Sequence, residues 1–365
     1  MKNTDVNYQI ALTLLKGIGP KKAKILLSKL DSIESIFKDS FTTIASKTGI
    51  NVSILKQMNR VEAIEKANLF AEYNKKHAIQ SHFYLDNSYP RRLKQCEDAP
   101  LIVYSKGKMD LNQHKIVSVV GTRNATPYGK EICEELINGF KDKKILVVSG
   151  MAYGIDICVH QLCVKNEIET IGVLGHGLDR LYPSIHKNTA QKMIGNGGLL
   201  TEFLPGTKPD KENFPMRNRI VAGMTDATIV IESKDSGGSL ITADLANEYN
   251  RDVFAFPGNV GQIYSKGCNS LIAKQKAHLI TGSEDFLRLM QWEEVEKKPI
   301  QTQLFEDFTS DEQLILDLLS KKNELDMDVI SIHTKFPASK TSVVLFNLEM
   351  KGAVKALPGK RFKRS

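Results

Sequence analysis

Three short segments carry the residue types that hold phosphate. They are Gly121-Thr122-Arg123, Ser149-Gly150-Met151-Ala152-Tyr153-Gly154-Ile155-Asp156 and Phe214-Pro215-Met216-Arg217-Asn218-Arg219. Glycines let backbone amides approach an anion, and arginines add charge with planar donors. Ser149, Gly150, Ala152 and Gly154 can form a nest of amides ahead of a helix, whose positive end adds to it. Asp235-Ser236-Gly237-Gly238-Ser239 repeats the theme: Ser236, Gly237, Gly238 and Ser239 either hold phosphate or simply open a capped helix. The stretch from Lys208 to Arg219 interleaves cations with one aromatic. In one reading Lys211, Arg217 and Arg219 hold phosphates while Phe214 stacks on a base. In the other, Phe214 packs in the core and the arginines make ion pairs.

The motifs for breaking phosphate bonds are missing. Neither Gly129-Lys130 nor Gly206-Thr207-Lys208 has the upstream glycine and downstream hydroxyl of a nucleotide-hydrolysing loop. Arg123 occupies a position that a dinucleotide fingerprint reserves for glycine, so no nicotinamide or flavin cofactor is expected. Ser149 lacks the flanking glycines of a nucleophile elbow. Asp156 and His160, four apart on a helix, read as a packing pair rather than as a catalytic or metal-binding one. The five cysteines (Cys96, Cys133, Cys158, Cys163, Cys268) form no C-x-x-C pair and read as packed thiols in a reducing compartment. No catalytic residue, metal ligand or cofactor is assigned.

The elements that must position these groups follow from apolar runs. Strand-like runs at 116–120, 145–148, 170–174, 228–231 and 253–256 alternate with helical periodicity near 128–140, 154–165, 185–195 and 239–249. That alternation predicts an α/β fold with a mostly parallel, Rossmann-like sheet over 78–290. The glycine turns then sit at the carboxyl ends of strands, where open α/β sheets bind ligands.

Residues 1–77 read as a helical domain of SAM or helix-hairpin-helix type. Its turn Lys16-Gly17-Ile18-Gly19-Pro20-Lys21-Lys22 either presents amides and lysines (Gly17, Gly19, Lys21, Lys22) to a second DNA segment or joins two helices of a bundle. Residues 291–308 read as an acidic linker. Residues 309–365 predict three helices and a basic hairpin, the outline of a winged helix, with a capping box placed at Ser310 and Gln313. The hairpin cations Lys360, Arg361, Lys363 and Arg364 either meet duplex DNA or form a solvated tail. The formal charge of +8 suits a polyanionic partner. With no apolar run near ~18 residues and no signal-peptide core, the chain reads as cytoplasmic, with no membrane partner.

In order along the chain stand Tyr89-Pro90-x-x-Leu93, Val119-Val120-Gly121-Thr122-Arg123, Ser149-Gly150-Met151-Ala152-x-Gly154-Ile155-Asp156, Tyr182-Pro183, Phe214-Pro215-x-Arg217-Asn218-Arg219, Ser236-Gly237-Gly238-Ser239-Leu240-Ile241-Thr242-Ala243 and Phe256-Pro257-Gly258. With these motifs the region from Tyr89 to about Gly282 closely resembles the DNA-processing protein A (DprA, or Smf) family. The resemblance implies a non-enzymatic protein that binds single-stranded DNA and loads RecA onto it during natural transformation. It also implies a homodimer, working beside single-strand-binding protein.

By motif matching, Gly121, Arg123 and the amides around Ser149-Gly150 and Gly237-Gly238 hold phosphate. Lys211 adds a cation and Phe214 a stacking platform, while Arg217, Asn218 and Arg219 contact the strand or brace the loop. Ile272 and Leu279 are the dimer candidates. His176 stands where the family usually has cysteine. The rival from another class is a Rossmann-like phosphoribohydrolase acting on nucleoside monophosphates. Its signature glutamate is missing here, and Asp244 is the nearest carboxylate beyond Ser239.

Overall fold

The computed structural model describes residues 3–293, 308–322, 324–357 and 359–364. Residues 294–307 of the linker expected at 291–308 lie outside the described residues, as does Pro358 of the basic hairpin. The chain forms two compact units, Met1–Glu293 and Glu294–Ser365. Among the described residues no helix is long and apolar enough to cross a membrane.

The first unit begins with six helices: α1 (Asn3–Thr13), α2 (Pro20–Lys29), α3 (Ser35–Lys38), α4 (Phe41–Thr48), α5 (Val52–Leu55) and α6 (Arg60–Lys76). Then come β1 (Gln80–Phe83), α7 (Arg91–Lys94), β2 (Ile102–Lys108), β3 (Lys115–Val120), α8 (Pro127–Gly139), β4 (Ile145–Ser149), α9 (Ile155–Lys165), β5 (Thr170–Val173) and α10 (Lys187–Met193). The unit closes with β6 (Gly197–Thr201), α11 (Asn213–Gly223), β7 (Ala227–Val230), α12 (Gly238–Glu248), β8 (Asp252–Ala255), α13 (Lys266–Ala273), β9 (His278–Leu279) and α14 (Ser283–Leu289).

The strands form one sheet in the order β1-β2-β6-β5-β4-β3-β7-β8-β9. Seven strands, from β6 to β9, run parallel, while β1 and β2 are antiparallel additions at one edge. The expected mostly parallel α/β fold is therefore present. The central strands are apolar because helices cover both faces: β4 is buried at every position from Ile145 to Ser149. From β3 the chain builds outward to β4, β5 and β6, then returns to place β7 on the other side. The topological switch point lies between β3 and its neighbours β4 and β7.

Several elements carry no clear signal in the sequence, among them β1, β2, β6, β9, α7, α11, α13 and α14. In β6, Gly197-Gly198 gives little apolar signal, because glycine weakens the strand pattern. The two-residue β9 is too short to show a period. Residues Phe214–Arg219, for which the sequence suggested no element, lie inside α11. The helical module does not have a core of its own: Ile10, Leu26, Ile36, Ile44 and Leu55 share one apolar cluster with Phe83, Leu101, Ile102 and Tyr104 of the β1–β2 edge.

In the second unit, α15 (Ser310–Lys321), α16 (Met327–Thr334) and α17 (Ala338–Met350) pack with a three-stranded sheet. Its strands are β10 (Leu325–Asp326), β11 (Val354–Leu357) and β12 (Arg361–Arg364), in the order β10-β12-β11. Ile315, Leu319, Ile330, Leu345, Leu348 and Val354 form its core. This is the winged helix that the helical spacing predicted. The capping box is one residue earlier than expected. Thr309 caps the Glu312 amide and Glu312 caps the Thr309 amide, because Thr309, not Ser310, has the extended backbone a cap requires.

Candidate nucleic-acid interface

The glycine turns meet at the carboxyl ends of β3, β4 and β7, and they interlock through backbone. The Thr122 amide donates to the Glu232 carbonyl (2.7 Å), and the Ile155 amide donates to the Thr122 carbonyl (3.1 Å). Gly154 has φ +79°, and a Cβ there would come within 2.2 Å of the Thr122 carbonyl oxygen. Only glycine satisfies both the left-handed backbone and the close approach. Buried Glu232 fastens the start of α8 by accepting from the Thr126 amide (2.9 Å) and hydroxyl (2.6 Å).

Beneath these turns lies a buried polar layer. A Cβ on Gly150 would stand 2.0 Å from an Arg217 nitrogen and 2.3 Å from an Asp156 oxygen, so the turn runs directly over both groups. Arg217 donates to the Val173 carbonyl (2.7 Å), and Asp156 accepts from the Ala152 amide (3.3 Å). Burial raises the Asp156 pKa, and the positive field of Arg217 opposes that shift. His160 is fully buried; it bonds the Gly150 carbonyl through Nε2 (2.7 Å) and the Thr170 hydroxyl through Nδ1 (2.8 Å). Burial lowers its pKa to about 4, so it stays neutral. Asp156 and His160 both serve packing, but each bonds the backbone of the nest and not the other.

Several side chains assigned to strand contact prove to be consumed internally. Ser149 is fully buried and donates to the Val119 carbonyl (2.6 Å), which leaves only its backbone for a ligand. Arg217 is enclosed under the turn. Arg219 is paired with Glu202 and also donates to the Asp98 carbonyl. Ser239 is buried and donates to the Ser233 hydroxyl (2.9 Å). Asn218 donates weakly to the Gly238 carbonyl (3.4 Å), tying α11 to the start of α12. For Ser149, Arg217 and Ser239 the physical reason is shared: a polar side chain buried behind these turns is desolvated and bonds within the protein.

Exposed and partly exposed groups meet in a cleft whose floor is buried. The Arg123 guanidinium stands 5.6 Å from the centroid of the Phe214 ring, within cation–π range. Tyr182 lies 6.3 Å from Phe214, and Tyr153 packs edge-on to His186 at 5.1 Å. Arg123, Ala152, Tyr153, His176, Tyr182 and Phe214 line the cleft. Lys211, Ser236 and Gly238 are exposed, and Gly121 and Gly237 are partly so. Tyr153 and Tyr182 were not picked out as site residues, since nothing in a sequence separates a ring facing solvent from one facing the core.

His176 is buried, donating from Nδ1 to the Gly177 carbonyl (2.9 Å) and accepting the Tyr182 amide at Nε2 (3.2 Å). It therefore positions Tyr182, and burial keeps it neutral. Among the described residues no carboxylate lines the cleft. Asp244 is turned away into an ion pair with Lys276 (2.7 Å).

At the N-terminal hairpin, Gly17 takes φ +80° and Gly19 precedes α2. Lys21 is paired with Glu97 (2.5 Å), and Lys22 donates to the Gly17 carbonyl (3.2 Å), both on the surface. Leu279 lies exposed on the edge strand β9, whereas Ile272 is half-buried against the core. Among the described residues no cluster of His, Cys, Asp or Glu is placed to hold a metal.

A doubly wound α/β sheet with interlocked glycine turns and a cation–aromatic pair at its switch point places the chain among proteins of Rossmann-like type. Residues 80–291 match the family described as DNA recombination-mediator protein A, and residues 299–360 match the DprA winged helix domain. The chain belongs to that family. It is 41% identical over 231 residues to the DNA processing protein DprA of Streptococcus pneumoniae, covering 63% of this chain and 80% of the relative. Protein Smf of Escherichia coli is 29% identical over 357 residues, covering 91% and 93%.

The X-ray structure of the S. pneumoniae protein superposes with a TM-score of 0.66 at 34% identity, covering 79% of this chain and 98% of that one. A Helicobacter pylori structure, described as showing the single-stranded DNA binding mode of that DNA processing protein A, gives a TM-score of 0.53 at 28% identity. It covers 58% of this chain and 95% of the other.

Proposed function

We propose that this protein binds single-stranded DNA along the carboxyl ends of β3, β4 and β7 and presents it intact to RecA. The observation that carries the reading is the pair of exposed Arg123 and partly exposed Phe214, set beside interlocked amide-bearing turns. Arg123 and Lys211 hold successive phosphates, the turns at Gly121, Gly150–Gly154 and Ser236–Gly238 supply amides, and Phe214 stacks on a base. Arg217, Arg219, Ser149 and Ser239 act indirectly, bracing these loops from beneath. The single-stranded DNA named for the H. pylori relative supports the same ligand here. A cleft without a carboxylate among the described residues, and the engagement of Asp244 by Lys276, speak against a phosphoribohydrolase.

Loading of RecA, action beside single-strand-binding protein, a cytoplasmic setting and a homodimer through Leu279 with Ile272 complete the proposal. In it the core of residues 78–290 carries the DNA site. The helical module of residues 1–77 and the winged helix of residues 309–365 supply further contacts.

The test is oligo-dT binding across a salt series. Arg123→Ala is expected to weaken binding and to reduce the log–log salt slope by about 0.7, one phosphate's worth for a single strand. Phe214→Ala is expected to cost about 1–3 kcal/mol with little change of slope. Wild-type affinity in both variants would refute the site.

A further inference from the structure

The cation-on-ring arrangement of Arg123 and Phe214 recurs on the other flank of the same turn. The Lys234 ammonium stands 5.4 Å from the centroid of the Tyr264 ring. Lys234 belongs to the loop after β7 and is exposed; Tyr264 belongs to the loop after β8 and is partly exposed. Among the described residues Lys234 has no carboxylate partner within ion-pair distance.

The ring is held in register with the phosphate turn. Its hydroxyl accepts from Asn124 Nδ2 (3.0 Å), and Asn124 directly follows Arg123. The Tyr264 carbonyl accepts the Ser233 amide (2.7 Å), and the Ser233 carbonyl accepts the Gly267 amide (2.9 Å). These bonds fix the ring without any help from Lys234. An unpaired ammonium beside an anchored, partly exposed ring is therefore not needed to hold the loop. On the same loop Val260 is 88% exposed and Ile263 60% exposed, at the carboxyl end of β8. An exposed aromatic with apolar neighbours and a free cation is the composition that grips an unpaired base and its phosphate.

We propose that Lys234 and Tyr264 form a second strand-binding subsite, with Lys234 on a phosphate and the Tyr264 ring against a base. The inference rests on the single-stranded DNA reading above and extends it across the topological switch point. Phe214 and Tyr182 flank β5, and Tyr264 follows β8; β5 to β8 is four strand spacings, roughly 19 Å. The strand thus crosses the sheet edge from one cation–ring pair to the other, with Arg123 and the glycine turns between. A short oligonucleotide fills only the first pair, and a longer one reaches both.

The experiment measures affinity of the full chain for oligo-dT of about 4 and about 12 nucleotides, a short and a long ligand within the usual range of single-strand site sizes. Tyr264→Ala is expected to weaken the longer oligonucleotide by roughly 5- to 100-fold and to leave the shorter one within about twofold. Lys234→Ala should reduce the salt slope for the longer ligand by about 0.7. Tyr264→Phe keeps the ring and the backbone bonds of the loop, loses only the Asn124 bond, and should bind the longer oligonucleotide far better than Tyr264→Ala does. It thereby separates stacking from loop support.

If Tyr264→Ala and Lys234→Ala bind both lengths normally while Arg123→Ala and Phe214→Ala weaken both, the subsite is overturned and the DNA reading stands. If Tyr264→Phe is as weak as Tyr264→Ala, the residue acts through the loop and the subsite is likewise overturned. Silence of Arg123→Ala and Phe214→Ala refutes the DNA reading and the subsite together.

Discussion

Arg217 and Arg219 sit two residues apart on α11, and both are far less exposed than Arg123. The first is roofed by Gly150 and the second is paired with Glu202, so their charge shapes the floor of the site. His160 belongs to the same floor and makes it sensitive to acid. The unfolded chain protonates this imidazole near pH 6.5, whereas the folded chain does so only near pH 4. Between those values the unfolded state binds more protons. Stability is therefore lost as pH falls below 6.5 and is flat above it on this account. The expected loss is about 2 kcal/mol at pH ~5. Urea unfolding at pH ~7.5 and ~5 checks this: His160→Gln should be less stable than wild type at the higher pH but lose less on acidification. An equal loss in both proteins would show that other groups dominate.

At the scale of elements, the loops depend on how helices start. Thr126 caps α8 and is itself held by Glu232, which ties the Gly121 turn to the end of β7. In the winged helix the corresponding device is the Thr309–Glu312 box on α15, with Glu312 also held by Lys351 at 2.9 Å. Thr309→Ala is expected to cost about 1 kcal/mol. Hydrogen exchange should then quicken first at the amides that open α15, while the amides of β4 keep their protection. Slowed or unchanged exchange at α15 would contradict the cap. The basic wing is partly spoken for, since Arg361 pairs with Glu324 at 2.8 Å, while Lys355 and Lys363 remain exposed.

For the whole molecule, the sheet ends at β9, a two-residue edge strand that leaves Leu279 48% exposed beside half-buried Ile272. An edge with unpaired backbone and an exposed leucine invites a second copy. Leu279→Asp is expected to convert the proposed dimer to monomer in sedimentation equilibrium. Because the side chain is exposed in the protomer, thermal stability of the monomeric fold should change by only about 0.5 kcal/mol. A sedimentation profile identical to wild type would remove Leu279 from the interface. Loss of the dimer should also weaken binding of long oligonucleotides, which would then contact one protomer's strand ends rather than two.

Much of this architecture was readable from residue patterns. The runs at 116–120, 145–148, 170–174, 228–231 and 253–256 correspond to β3, β4, β5, β7 and β8, because buried parallel strands are continuous apolar stretches bounded by glycine. Their turns could be placed for the same reason, and the ordered motifs named the family. Sequence could not tell which polar side chains face outward. Ser149 and Arg123 each stand at the end of a central strand, yet Ser149 is sealed against Val119 while Arg123 lies over Phe214. Arg219 found Glu202 from seventeen residues away, and Tyr264 reached Asn124 across 140. Composition and periodicity are local and determined the strands, helices and turns. Burial and pairing depend on what the folded chain brings alongside, so only the tertiary structure decided which groups remain free to hold a ligand.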